Sequence, residues 1–158
     1  MEVADRLARC GIQTQLHIVG CDPPTPLPSY VIKHGFISKS TETGRKLLNS
    51  LFEESHFFLL HSRAECYGIV FAEASSFGVP SLAPKIGGIP SLIRDNKNGK
   101  LFDFEDPPKQ YCDYIKKLFL AKDEYKFLAL SAFNEYKERL NWDITGRNIF
   151  KVISECCY

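Results

Sequence analysis

Residues 56–99 read HFFLLHSRAECYGIVFAEASSFGVPSLAPKIGGIPSLIRDNKNG, and the order of elements in this stretch decides the fold. It opens on an apolar run, His56 to Leu60, of a length that suits a buried strand. It breaks at Ser62-Arg63-Ala64-Glu65 and resumes as an apolar helix expected over Gly68 to Phe77, which Gly78 closes. A strand over Val79 to Ala83 follows, then Gly87-Gly88 opening a short helical turn, then a strand over Gly99 to Phe104. One residue is out of character: within Ile69 to Ala74 every side chain is apolar except Glu73. Such a segment reads as a helix packed on most of its circumference, and an unpartnered buried carboxylate is costly. Glu73 is therefore expected to face a cavity that holds something polar; the alternative is a buried acid bonded to backbone N–H groups.

The flanks extend the alternation. Glu2 to Cys10 carries Val3, Ala4, Leu7 and Ala8 on one helical face and stops at Gly11. Gln15 to Gly20 reads as a strand, the prolines at 23, 24, 26 and 28 make a surface loop, and Tyr30 to Ile37 reads as a second strand. Thr41 to Glu54 returns to helical period. Asp106-Pro107-Pro108 starts a helix through about residue 121, and two more follow, one through Leu140 and one from Trp142 to the end. Strands alternating with helices imply parallel pairing through right-handed crossovers, hence an α/β, Rossmann-like doubly wound parallel sheet with helices on both faces. Ligands of such sheets sit outside the carboxyl ends of the strands, where Glu65, Gly68 and Gly87-Gly88 would lie.

Composition excludes several classes. With 158 residues, 44% hydrophobic and 25% charged, the chain is long enough for one globular domain with a real core. A net charge of +1 argues against binding nucleic acid or an anionic membrane through bulk electrostatics. No apolar run approaches membrane-spanning length, and MEVADRLARC is not a secretory signal. Cys10, Cys21, Cys66, Cys112, Cys156 and Cys157 form no CxxC pair and cluster with no histidine, so neither a zinc site nor a disulfide framework is suggested. A cytoplasmic location, peripheral to a membrane at most, is the expectation.

The chemistry concentrates at Glu65 and Glu73, an E-x7-E pair. Two glutamates at one spacing mean little alone; their setting means more. Glu65 precedes a helix, Glu73 lies within it, and Tyr67-Gly68 opens it. A helix N-terminus offers unpaired N–H groups and positive potential to phosphate, and Gly68 lets a backbone approach a ligand closely. Lys85-Ile86-Gly87-Gly88 supplies a second amide-rich turn. Two carboxylates beside two such turns suit a ligand with both hydroxyls and phosphates, as a nucleotide sugar has.

The ordered set SRAECYGIVFAEASSFGVPS, GGIPSLI, NGKLF and DPP, together with Leu16 to Gly20, Gly35-Phe36-Ile37 and Asn141-Trp142, resembles the donor-binding half of the retaining glycosyltransferases of family 4, the group 1 glycosyl transferases of GT-B fold. The resemblance runs over nearly the whole chain and implies one C-terminal nucleotide-sugar-binding domain over residues 1–158. It implies that Glu73 accepts hydrogen bonds from the ribose hydroxyls of the donor. Glu65, the candidate catalytic residue, would hold hydroxyls of the transferred sugar and support positive charge at its anomeric carbon. Cys66, Tyr67, Gly68, Gly87 and Gly88 would line sugar and phosphate, Ile69 the ribose, and Phe36 and Ile37 the base. The donor implied is a UDP- or GDP-sugar, with no metal and no separate cofactor, and the acceptor, a sugar or lipid, would be bound by an N-terminal half.

Two departures from the family pattern stand out. The element Gly-Gly-x-x-Glu reads Gly87-Gly88-Ile89-Pro90-Ser91, without its acid, and His61-Ser62 stands where Pro-Ser is common. The chain also opens inside the helix that follows the family's first strand. That strand is central, so the strands at Leu16–Val19 and Phe57–Leu60 are expected to lack a neighbour, and a chain without it and without the acceptor half is expected to be an inactive fragment. The competing functions are a non-catalytic nucleotide-sugar-binding module and a sugar-nucleotide epimerase-like protein of the same fold.

Plainer readings cover the rest. His17, His34 and His56 decorate strands and His61 is structural. Arg63 and Lys85 are expected to be solvated loop cations, with contact to a phosphate as the alternative. Tyr67 caps the core, and Phe57, Phe58 and Phe71 lie in it. Trp142 packs a helix corner, while Lys116 to Lys126 and Glu135 to Arg139 form solvated helical faces.

Overall fold

The structure, a computed structural model, describes residues 1–156. The last two positions of the expected C-terminal helix, Cys157 included, lie outside the described residues. The chain packs as two compact units, residues 1–55 with 105–121, and residues 56–104 with those from 122 on.

The first unit contains α1 (Glu2–Arg9), β1 (Leu16–Val19), β2 (Val31–Gly35) and α2 (Glu42–Glu54), with a helix at Pro108–Leu120 returning to it. Ala4 and Leu7 are the buried residues of α1; Tyr111, Cys112 and Leu118 are those of the returning helix. Burial, with Asp106 second, pushes the Tyr111 phenol up to about 12. β1 and β2 pair in parallel from Leu16 opposite Val31, with a bulge between Ile18 and Val19. Thr41 starts α2 by accepting the Gly44 N–H on its hydroxyl at 3.1 Å, an N-cap.

The strand register produces a contact that sequence spacing concealed. His17 and His34 stack at 5.2 Å between ring centroids, with His17 Nδ1 and His34 Nε2 2.9 Å apart. One ring nitrogen must donate and the other accept, so the accepting nitrogen carries no proton. Burial first, then His34, lowers the His17 pKa below 6.5, against an opposing pull from Glu54. A histidine whose folded pKa is depressed binds its proton more readily when unfolded. Stability is then complete above about pH 6.5 and falls as the pH drops from there through the lower folded value. We expect urea unfolding monitored on the first unit to weaken between about pH 7 and pH 5, and His17→Gln to flatten that dependence. An equal slope in the variant rules out this origin.

The second unit holds β3 (Phe58–Leu59), α3 (Ile69–Ser76), β4 (Ser81–Pro84), α4 (Ile89–Leu92) and β5 (Gly99–Phe102). Counting the returning helix as α5, it closes with α6 (Lys122–Glu135), a π-helical segment Tyr136–Leu140, and α7 (Trp142–Cys156). Its sheet is parallel in the order β3-β4-β5, with Phe58 opposite Ser81 and Ser81 opposite Gly99. β4 is central and buried at every position. Phe71, Ala72, Ala83, Ile89, Leu92 and Ile93 form the core, with Phe58, Leu60 and Leu140 packed against it.

Three expectations are corrected here. The run HFFLL is not a buried strand: β3 is two residues long, Phe58 is half-buried and Leu59 is 41% exposed. The reason is position, since β3 is an edge with β4 as its partner. Among the described residues β1 pairs with β2 alone, and β3, β4 and β5 form the other sheet. Trp142 packs no corner; it is 74% exposed, and α7 has no buried residue. The run Glu135 to Arg139 is solvated only in part: Lys137 and Glu138 are exposed, but Arg139 Nε meets Glu135 Oε2 at 2.9 Å with both side chains mostly covered.

Asn141 starts α7, its Oδ1 accepting the Ile144 N–H at 3.0 Å. Gly146 sits inside this helix with nothing near the place a Cβ would occupy. Gly146→Ala should therefore stabilise the chain by roughly 0.5–1 kcal/mol in thermal or urea unfolding. A loss of stability would show that this face of α7 is covered in solution.

Candidate functional site

The candidate site in the second unit is built on two turns locked backbone to backbone. The first follows β3: Ser62 Oγ donates to the Ala64 carbonyl at 2.8 Å, and the chain then passes through Glu65, Cys66 and Tyr67 to Gly68. Gly68 adopts φ 80°, ψ 56°, a left-handed conformation that starts α3 and disfavours any side chain. A Cβ there would also press on the Phe71 ring at 2.8 Å and on Glu65 Cγ at 3.1 Å. The second turn follows β4. Gly88 donates its N–H to the Glu65 carbonyl at 3.1 Å, while a Cβ on Gly87 would strike the Glu65 carbonyl and one on Gly88 the Cys66 carbonyl. Glycine is required at both positions because another backbone lies where a side chain would go.

Glu65, Cys66, Tyr67, Gly68, Gly87 and Gly88 are thus brought together. Glu65 is half-buried, Cys66 is exposed and Tyr67 is 51% exposed. Tyr67 does not cap the core. α3 turns Phe71, Ala74 and Ser75 inward and leaves Ile69, Glu73 and Ser76 on the opposite, more open side. Ile69 and Glu73 share that side at i, i+4 spacing. Ile69 is 46% exposed and Glu73 half-buried, so the helix is not enclosed all round and Glu73 needs no sealed cavity. Phe36, 86% exposed, and the half-buried Ile37 follow Gly35 in the first unit. Lys85 and Arg63 are exposed, and the His61 ring meets that of Phe104 tilted by 38°, with centroids 4.9 Å apart.

Asn98 supports the second turn and was not singled out from sequence. It is fully buried, donates Nδ2 to the Leu92 carbonyl at 2.9 Å and to Ser75 Oγ at 3.3 Å, and accepts the Arg94 N–H on Oδ1 at 2.8 Å. The Asn-Gly step at 98–99, a turn signal, was the available hint. The missing acid is Ser91, whose hydroxyl folds back to donate to the Gly88 carbonyl at 2.6 Å. Among the described residues no group of three or more His, Cys, Asp or Glu is placed to hold a metal ion, and no helix is long and apolar enough to cross a membrane.

Comparison with known proteins bears on the family and the fold. The family model described as "Glycosyl transferases group 1" matches residues 1–120. Curated relatives include a D-inositol 3-phosphate glycosyltransferase of Thermomonospora curvata, 30% identical over 109 residues that make up 67% of this chain and 24% of the relative. Another, of Thermobispora bispora, is 24% identical over 153 residues, 97% of this chain and 30% of the relative. This chain therefore spans about a quarter to a third of such relatives. Among solved structures, sucrose-phosphate synthase of Thermosynechococcus elongatus superposes with a TM-score of 0.72 at 18% identity, over 90% of this chain and 38% of that one. HepE of Anabaena, solved in complex with UDP and glucose, gives 0.65 at 20% identity, over 97% and 35%. These likenesses show the α/β fold of parallel sheets with helices on both faces.

Proposed function

This chain belongs to the group 1 glycosyl transferases, and from that premise we propose that residues 1–158 form the donor-binding domain of a glycosyltransferase. The observation that carries the reading is the lock between the Glu65–Gly68 turn and Gly87-Gly88, with Glu73 on the open side of the helix that Gly68 starts. The ligand is a nucleoside-diphosphate sugar, UDP- or GDP-linked. Glu73 accepts the ribose hydroxyls beside Ile69, and amides of the two turns face the diphosphate. Glu65 holds the sugar and, in the complete protein, stabilises positive charge at its anomeric carbon while amides stabilise the leaving diphosphate, giving transfer with retention. No metal takes part. The acceptor, a sugar or a lipid, is bound by a further domain, and the isolated 158-residue chain turns nothing over. The capture of UDP and glucose by the structurally similar HepE supports the choice of ligand class.

A second reading, binding without turnover, draws on Ser91. Its hydroxyl is spent on the Gly88 carbonyl, and no acid stands there. Thermal shift with UDP, GDP, ADP and their sugars tests both, because a ligand of the folded state adds RT ln(1 + [L]/Kd) to stability. We expect a shift with one nucleoside diphosphate that Glu73→Ala abolishes. Glu65→Ala should erase the difference between the diphosphate and its sugar while sparing the diphosphate. Unchanged binding in both variants would remove these residues from the site. Turnover by the isolated chain would overturn its assignment as a donor half alone.

A further inference from the structure

The strongest unassigned cluster lies behind the second turn. α4 has four residues, too few to hold a helical conformation unaided, and its last carbonyls need partners. Arg139 reaches both: Nη1 donates to the Ser91 carbonyl at 2.7 Å and Nη2 to the Leu92 carbonyl at 2.9 Å, which Asn98 Nδ2 also meets at 2.9 Å. The guanidinium is oriented from its other side by Glu135, whose Oε2 accepts Nε at 2.9 Å and whose Oε1 meets Arg94 at 3.4 Å. The pair is largely withdrawn from water, with side chains 24% and 13% exposed, where a charge-assisted bond is stronger than at the surface.

The backbone that presents Arg139 is itself unusual. Tyr136 to Leu140 is π-helical, a wide turn that recurs at functional sites. Asn141 Nδ2 satisfies its end by donating to the Tyr136 carbonyl at 3.0 Å and the Lys137 carbonyl at 2.7 Å. Leu140 packs on the core cluster that contains Ile89 and Leu92, the buried residues of α4. From α4 the connection runs through Gly88, at its head, to the Glu65 carbonyl.

We infer that Arg139, oriented by Glu135, is a positioning residue for the donor site: it clamps the last carbonyls of α4 and so fixes Gly87-Gly88 against Glu65 and Cys66. The functional half of this inference rests on the donor-domain reading; the clamp itself does not. The guanidinium bonds to Glu135 and to the Ser91 and Leu92 carbonyls, so its effect on the site passes through the backbone of α4.

The test uses the full chain with UDP and GDP as probes. Amide exchange resolved at Gly88 and Ser91, whose N–H groups are bonded to the Glu65 and Gly88 carbonyls, should accelerate about tenfold or more in Arg139→Ala, while Leu82 and Ala83 of β4 keep their protection. Calorimetric affinity for the diphosphate should fall about tenfold, and Arg139→Lys, with one ammonium for two carbonyls, should fall between. Leu128→Ala, which empties a buried position of α6, separates positioning from general weakening: it should lower Tm without moving the amides of the turn or the affinity. If Arg139→Ala fails to fold, Glu135→Gln and Arg139→Lys carry the same comparison. Unchanged exchange at Gly88 and Ser91, or an affinity loss that Leu128→Ala matches, overturns the clamp. Wild-type chain that binds neither diphosphate overturns the donor-domain reading and the functional half with it, whatever the exchange shows.

Discussion

Phe71→Ala is expected to destabilise the second unit by about 3–5 kcal/mol, the range for emptying a well-packed aromatic site. Phe71 is fully buried on α3 and meets Phe58 of β3 edge-on, with ring centroids 5.6 Å apart and planes at 70°. Its backbone N–H donates to the Gly68 carbonyl at 2.9 Å, and its ring fills the space a Gly68 side chain would need. One side chain therefore joins the edge strand, the helix and the turn that begins the candidate site. The loss should exceed that of Phe58→Ala, because Phe58 is only half-buried and its edge of the sheet is open. Urea unfolding of the two variants gives the comparison. A cost below about 1 kcal/mol for Phe71→Ala would mean that the surrounding side chains close over the hole.

The order of elements was legible because punctuation is local. Gly11, Gly78, the prolines of residues 23–28 and Pro107-Pro108 each stop or start an element through their own backbone. Burial was not legible, because it depends on neighbours remote in sequence. The run FFLL is more apolar than SLAP, yet Ser81–Pro84 is buried throughout and Phe58–Leu59 is not. The difference is that β4 has a strand on each side and β3 is an edge. The same limit concealed the pairing of His17 with His34, which follows from strand register, and the clamp of Arg139, which a π turn brings round from what reads as a charged, solvated run. Within the candidate site, the resemblance named Glu65, Gly68, Gly87 and Gly88. That Gly87 and Gly88 are required by the carbonyls of Glu65 and Cys66 was visible only once the two turns were seen against each other. Glu73 drew notice as a lone acid in an apolar run. Its actual setting is a half-open helix side shared with the exposed Ile69.

Gly88→Ala is the sharpest test of that arrangement, and its effect on binding should be larger than its effect on folding. Gly88 adopts φ −82°, ψ −7°, a conformation open to any residue, so alanine adds no backbone strain. It would gain helix propensity at the head of α4 if space were the only question of local preference. Against this, its Cβ collides with the Cys66 carbonyl, a backbone atom that cannot swing aside as a flexible side chain would. The turns must part, which breaks the 3.1 Å bond from the Gly88 N–H to the Glu65 carbonyl and moves Glu65 and Cys66 away from Gly87-Gly88. We expect a stability cost of about 1–3 kcal/mol, typical of overpacking, and loss of the nucleoside-diphosphate-dependent thermal shift. Gly146→Ala, the same change where nothing stands in the way, should raise stability and leave that shift intact. If Gly88→Ala binds the diphosphate as the wild type does, the lock between the turns is not what holds the site, and Glu65 must be positioned by its own loop alone.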